Sequence, residues 1–113
     1  MFVRWKRRKM RGFFKGDSAL TAVLVASTRI HGQPRQRFAC YLGTIRDSAL
    51  TYVGHRRAFW NSVDAHLTAY GASRELRAQV EAKVLTVVQR PTTTEQEQWE
   101  REMQAMFSRL RSA

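Results

Sequence analysis

The sequence predicts an α+β fold: an N-terminal three-stranded antiparallel sheet over residues 2–45, followed by three α-helices. Three observations carry this. Segments 2–9, 19–30 and 35–45 are rich in β-branched and aromatic residues and are separated by Gly- and Pro-containing breaks. From residue 55 the apolar residues recur at three- and four-residue spacing. The period changes once, near residues 46–54, so the strands come first and the helices after. At 113 residues the chain is the size of one domain, 1–113, divided into a basic β-sheet part (1–46) and a helical part (55–111).

In the first strand, Val3 and Trp5 point one way and Phe2, Arg4, Lys6 and Arg8 the other. Gly12 and Gly16 bracket a turn. Residues 19–30 form the second strand, HGQP (31–34) breaks the chain, and residues 35–45 return as the third. Matching apolar faces sets Ile30 opposite Gln36, Thr28 opposite Phe38, Ala26 opposite Cys40 and Leu24 opposite Leu42. The other face then pairs Arg29 with Arg37 and Val25 with Tyr41. The sheet is therefore expected to have one dry face and one basic, partly aromatic face.

Residues 46–54 read as a connector. Phe59, Trp60, Val63, Leu67 and Tyr70 form the stripe of a first helix, which Gly71 ends. Ser73 caps a second, with Leu76, Val80, Val84, Val87 and Val88 on one side and Pro91 as its stop. Thr94 with Glu97 has the spacing of a capping box for a third. Its stripe is Trp99, Met103, Met106, Phe107 and Leu110, with acids early and Arg109 and Arg111 late, the order the helix dipole favours. Core packing is the expected role of this stripe. A dimer seam through residues 95–111 is the alternative, so the chain is a monomer or such a dimer.

The charge is lopsided. There are 20 Lys and Arg against 9 Asp and Glu, a net +11. The whole surplus lies in residues 1–63, which carry 13 cations and two acids, Asp17 and Asp47; residues 64–113 are balanced at seven and seven. Such a half attracts a polyanion or an acidic surface. Four aromatic rings within residues 2–14 argue against a bare solvated tail.

Nothing in the sequence points to catalysis. His31, His55 and His66 stand in separate contexts, and no pair has the spacing of a helical metal site. The lone Cys40 falls on the predicted dry face, where a structural thiol is expected. GFFKG (12–16) lacks the strand–loop–helix setting of a phosphate-binding loop. The expectation is therefore no enzyme, no catalytic residue, no metal and no cofactor. No apolar run approaches the roughly 20 residues of a membrane helix. A cytoplasmic protein without a membrane partner, nucleoid association included, is expected.

Arg29, Gly32, Arg35-Gln36-Arg37 and Leu42-Gly43 occur in that order along two strands and their turn, and the chain opens with Phe2, Val3 and Arg4. This set resembles the N-terminal segment of IS4-like bacterial transposases, over residues 1–46. The 113 residues leave no room for a nuclease domain, so the resemblance implies a sheet that faces DNA and not transposition. In architecture, the strand–turn–strand ending in Leu42-Gly43-Thr44 is similar to the three-stranded sheets of plant AP2-type and phage-integrase arm-binding domains.

The leading expectation is a small basic nucleic-acid-binding protein of bacterial or mobile-element type. Its sheet would present Arg4, Lys6, Arg8, Arg29, Arg35, Arg37 and Tyr41 to duplex DNA. Two alternatives stay open: a protein-interaction module or inhibitor whose basic half meets an acidic protein surface, and an RNA-binding accessory protein.

Overall fold

A computed structural model describes residues 1–112. It is an α+β arrangement, as the sequence predicts. Strands β1 (Phe2–Lys9), β2 (Ser18–Ile30) and β3 (Gln33–Arg46) form one antiparallel sheet in the order β1-β2-β3. Helices α1 (Val53–Tyr70), α2 (Arg74–Leu85) and α3 (Thr93–Ser112) follow. The connector contains a short 3-10 turn, Asp47–Ala49, and α1 begins at Val53, two residues earlier than the periodicity indicates.

One face of the sheet is dry. Val3, Leu20, Ala22, Leu24, Leu42 and Ile45 meet Phe59, Trp60, Val63 and Leu67 of α1 and Val80 and Val84 of α2. Trp5 stacks on Phe59 at 6.0 Å between ring centroids. Helix α1 comes close to β3 at Gly43, where a Cβ would lie 3.1 Å from the Phe59 ring. There the Ser62 hydroxyl donates to the Leu42 carbonyl at 2.8 Å.

The β2–β3 register differs from the face-matched one. His31 and Gly32 both have positive φ (52° and 76°), so they make a two-residue turn and Ile30 pairs with Gln33, not Gln36. Pro34 is tolerated because β3 is an edge strand. Two β-bulges then shift the pairing, between Ala22 and Val23 and between Leu24 and Val25, leaving Ala39 and Leu42 as the extra residues of β3. Each bulge reverses the alternation of β3 against β2. The turn alone sets Phe38 opposite Val25 and Arg37 opposite Ala26, and the two bulges reverse the sides only of Cys40 and Tyr41 between them; the expected Arg29–Arg37, Val25–Tyr41 and Leu24–Leu42 pairs do not form.

Helix ends follow local chemistry. The Gly71 N–H (φ 79°) reaches back to the end of α1, and the Ser73 hydroxyl accepts from the Leu76 N–H at 3.1 Å. Helix α2 stops at Leu85, where the Thr86 hydroxyl donates to the Lys83 carbonyl at 2.6 Å, so Val87 and Val88 lie beyond it; Val88 is fully buried. The capping box of α3 is Thr92 with Glu95, not Thr94 with Glu97: Glu95 N–H donates to Thr92 Oγ1 at 3.1 Å and Thr92 N–H to Glu95 Oε1 at 3.2 Å. The shift has a cause, because Glu95 also accepts from the buried Arg56 guanidinium.

Core packing of the α3 stripe is overturned. Trp99 and Met103 are half-buried, and Met106, Phe107 and Leu110 are exposed. Helix α3 meets α1 in its first half, with Trp99 beside Gly54 and under the Arg57 guanidinium at 5.0 Å.

Two carboxylates hold these junctions. Asp17 accepts from the Ser48 hydroxyl, from the Ser18 N–H at 2.8 Å and from the Ser48 N–H at 3.1 Å, with Arg46 3.7 Å away. The Ser48 hydroxyl bond does most to hold the Asp17 carboxyl below its ordinary range, and the Arg56 guanidinium does the same for Glu95. A carboxyl whose folded pKa is depressed adds stability above its unfolded pKa, and that stability is lost as pH falls through the folded value. The thermal midpoint is therefore expected to fall on acidification below about pH 4. Asp17→Asn should flatten that dependence in melts followed by circular dichroism.

Candidate nucleic-acid interface

The helices of the core cluster pack on one face of the sheet; on the second face the central-strand residues Ala19, Val23 and Val25 are buried and the flanking residues of β1 and β3 are more exposed. The residues of this second face follow from the pairing, since directly opposed residues share a face. Across β1, β2 and β3 they form four rows: Phe2, Val25 and Phe38; Arg4, Val23 and Tyr41; Lys6, Thr21 and Thr44; Arg8, Ala19 and Arg46. The first row thus carries two aromatic residues and no cation, and each of the other three carries at least one cation. The Tyr41 hydroxyl lies 2.7 Å from Thr44 Oγ1, which lies 3.0 Å from Thr21 Oγ1. Arg4 donates to the Gln36 side chain at 2.9 Å, bridging the central strand. Arg46 is held by Asp17 and by the Phe14 ring, 4.4 Å from its guanidinium carbon.

Past Phe2 the first strand has ended, and β2 and β3 continue as a two-stranded arm, residues 26–37. Residues 29–37 are all exposed. The arm carries Arg29, Arg35, Arg37 and His31 and no acid. Arg29 pairs with Pro34, Arg35 with Thr28 and Arg37 with Ala26. Arg29 therefore continues the open face, while Arg35 and Arg37 lie on the face that nearer the core packs against the helices.

Of the seven residues expected at one site, Arg4, Lys6, Arg8, Arg29 and Tyr41 share the open face. Arg35 and Arg37 do not, because the odd register of the arm puts them on its reverse side. None of Lys6, Arg8, Arg29, Arg35 and Arg37 has an ion-pair partner among the described residues.

Sequence reasoning missed Phe38, which is 60% exposed on the open face instead of dry. The two-residue turn at His31–Gly32 decides its side by setting Phe38 opposite Val25, a register that apolar face-matching does not give. The alternation of β1 places Phe2 on this face, and the strand pairing sets it in a row with Phe38. The β1–β2 turn adds Phe13, 96% exposed, between Arg11 and Lys15. Gly12 and Gly16, both at positive φ, permit that turn.

The Cys40 thiol donates to the carbonyls of Tyr41 and His66 at 3.1 and 3.7 Å, and burial pushes its pKa up, away from a reactive thiolate. His66 Nδ1 lies 2.7 Å from the Ser62 carbonyl, and its ring meets Tyr41 edge-on at 5.1 Å. Among the described residues no group of three or more His, Cys, Asp or Glu is placed to hold a metal, and no helix is long and apolar enough to cross a membrane. Comparison with family models, curated proteins and solved structures returned no match.

Proposed function

We propose that the protein binds duplex DNA, with the arm of residues 26–37 in the major groove and the cations of the open sheet face along the neighbouring phosphates. The observation that carries this reading is the bare, acid-free two-stranded arm. A B-form major groove, roughly 12 Å wide, admits a two-stranded β-ribbon. Five paired residues on each strand give the arm a reach of about 17 Å. Its arginines occupy both faces, Arg29 on one and Arg35 and Arg37 on the other. A ribbon seated in a groove has phosphates on both sides, so this split suits insertion better than it suits a flat sheet laid on a surface. An isolated two-stranded ribbon is only marginally stable in water, and a binding partner supplies what the core does not. The likeness of residues 1–46 to transposase N-terminal segments agrees with this reading and with a bacterial or mobile-element setting.

The A-form major groove of duplex RNA is deep and too narrow for side chains to read. Fluorescence anisotropy with matched DNA and RNA duplexes across a salt series tests the proposal. DNA affinity is expected to fall linearly in log–log form, with a slope of about −4.5 if Lys6, Arg8, Arg29, Arg35 and Arg37 each meet one phosphate. RNA duplex should bind more weakly. Equal affinity for the two would remove the groove-inserted arm. An absence of salt-dependent binding to either would transfer the basic half to an acidic protein partner.

A further inference from the structure

The C-terminal half of α3 stands clear of the domain. Residues 104–112 are all exposed, and Met106, Phe107 and Leu110 are 40%, 52% and 65% exposed. A helical segment this short is marginal in water by itself. Trp99, Met103, Met106 and Leu110 recur at intervals of four, three and four, the spacing of a coiled-coil seam. The Trp99 end of the seam borders an open groove between α1 and α3, lined by Tyr52, Val53, Ala58, Glu95, Trp99 and Glu102.

The charges of α3 are sorted along its axis. Glu95, Glu97, Glu100 and Glu102 occupy the first half, and Arg109 and Arg111 the last turn; Arg101 sits across the helix from the stripe. A helix acidic at one end of its seam and basic at the other is complementary to its own reverse.

We propose that α3 pairs antiparallel with α3 of a second copy of this chain, about a twofold axis near Gln104 and Ala105. In that register Met103 of each copy meets Met106 of the other. Leu110 reaches the Trp99 end of the partner helix, beside the apolar and acidic groove. Arg109 of each copy comes to Glu102 of the other, so the ion pair is made twice. Parallel pairing would set acid against acid and base against base. The dimer would present two arms, but the proposal rests on α3 alone and is independent of DNA binding.

Sedimentation equilibrium of the full chain over a concentration series tests it. A dimer is expected. Leu110→Glu should raise the dimer dissociation constant by at least about 100-fold, since both copies lose an apolar contact and gain a buried charge. Circular dichroism should remain that of a folded domain, because Leu110 is exposed in the monomer. Glu102→Arg and Arg109→Glu should each weaken the dimer by about tenfold. The two together should restore the affinity to within about threefold of the parent. A chain that stays monomeric up to about 1 mM overturns the proposal. So does a dimer that Leu110→Glu leaves intact. Failure of the double reversal to restore pairing overturns the antiparallel register. A monomer that associates only with another protein would assign the stripe to a different partner.

Discussion

Changing Arg29, Arg35 and Arg37 together to Ala is expected to lower affinity for duplex DNA by about 100-fold at about 0.15 M salt and to reduce the salt slope by about 2.7. Both figures follow from three lost phosphate contacts at roughly 0.9 released counterions each. The fold should not change. The three side chains are exposed, belong to the arm beyond the core, and have no ion-pair partner among the described residues. Exposed substitutions of this kind usually shift stability by no more than about 0.5 kcal/mol. Anisotropy titrations at four salt concentrations, beside a melting curve, measure both quantities. A triple mutant that keeps the parental slope would place the phosphate contacts elsewhere, with Lys6 and Arg8 on the sheet or Arg11 and Lys15 in the β1–β2 turn as the next cations to remove. Splitting the set is informative too. If the arm lies in a groove, Arg29→Ala and the Arg35→Ala/Arg37→Ala pair should each lower the slope, because each faces a different phosphate wall. If only the open face is used, Arg29→Ala alone should.

Trp60→Ala should cost about 3–5 kcal/mol, the usual range for truncating a large buried aromatic side chain. Trp60 is 2% exposed, meets Phe59 edge-on at 6.1 Å, and carries the Arg90 guanidinium at 4.1 Å from its ring centre. Arg90 in turn donates to Asp64 of α1 at 3.2 and 3.3 Å and to Glu81 of α2 at 3.2 Å. The ring is thus the platform on which the segment leading into α3 is tied to the first two helices. Domains of this size are commonly stable by only about 5–15 kcal/mol, so urea denaturation should show a large fall in the midpoint or a chain already unfolded. Trp60→Phe should cost much less. It keeps an aromatic platform, and it removes an indole N–H that is buried with no hydrogen-bond partner among the described residues. Phe107→Ala, on the exposed stripe of α3, should leave the domain folded. Equal losses at positions 60 and 107 would contradict the placement of α3 outside the core.

The contrast between those two aromatics marks the limit of periodicity. Phe59, Trp60, Val63 and Leu67 and the stripe from Trp99 to Leu110 have the same three- and four-residue spacing. Spacing shows that a helix has an apolar side and is silent about what covers it. The first stripe is covered by the sheet, and most of the second is uncovered. What separates them is the Arg56–Glu95 pair and the Trp99–Gly54 contact, which anchor only the start of α3. Both join residues about 40 positions apart, beyond the reach of a local pattern.

The sequence by itself determined the three-strand, three-helix order, because local propensity and hydrophobic period suffice to tell strand from helix. It also determined that Val3 and Trp5 face inward while Arg4, Lys6 and Arg8 face outward, since β1 is regular and each step along it changes side. The concentration of charge in the first half, and the acid-free character of the arm, are likewise properties of composition. Only the tertiary structure decided the sides of Phe38, Arg35 and Arg37. The His31–Gly32 turn sets the arm's register at its tip, and the packing of α1 on Leu42 and Gly43 accompanies the bulges farther along β3. Each bulge adds a single residue, so the alternation is reversed only between the two, at Cys40 and Tyr41, and the arm and the core keep the same phase. The turn fixes the sides of Phe38, Arg35 and Arg37 and the bulges that of Tyr41, and apolar face-matching shows neither, which is why the site was legible as a set of residues and not as a surface.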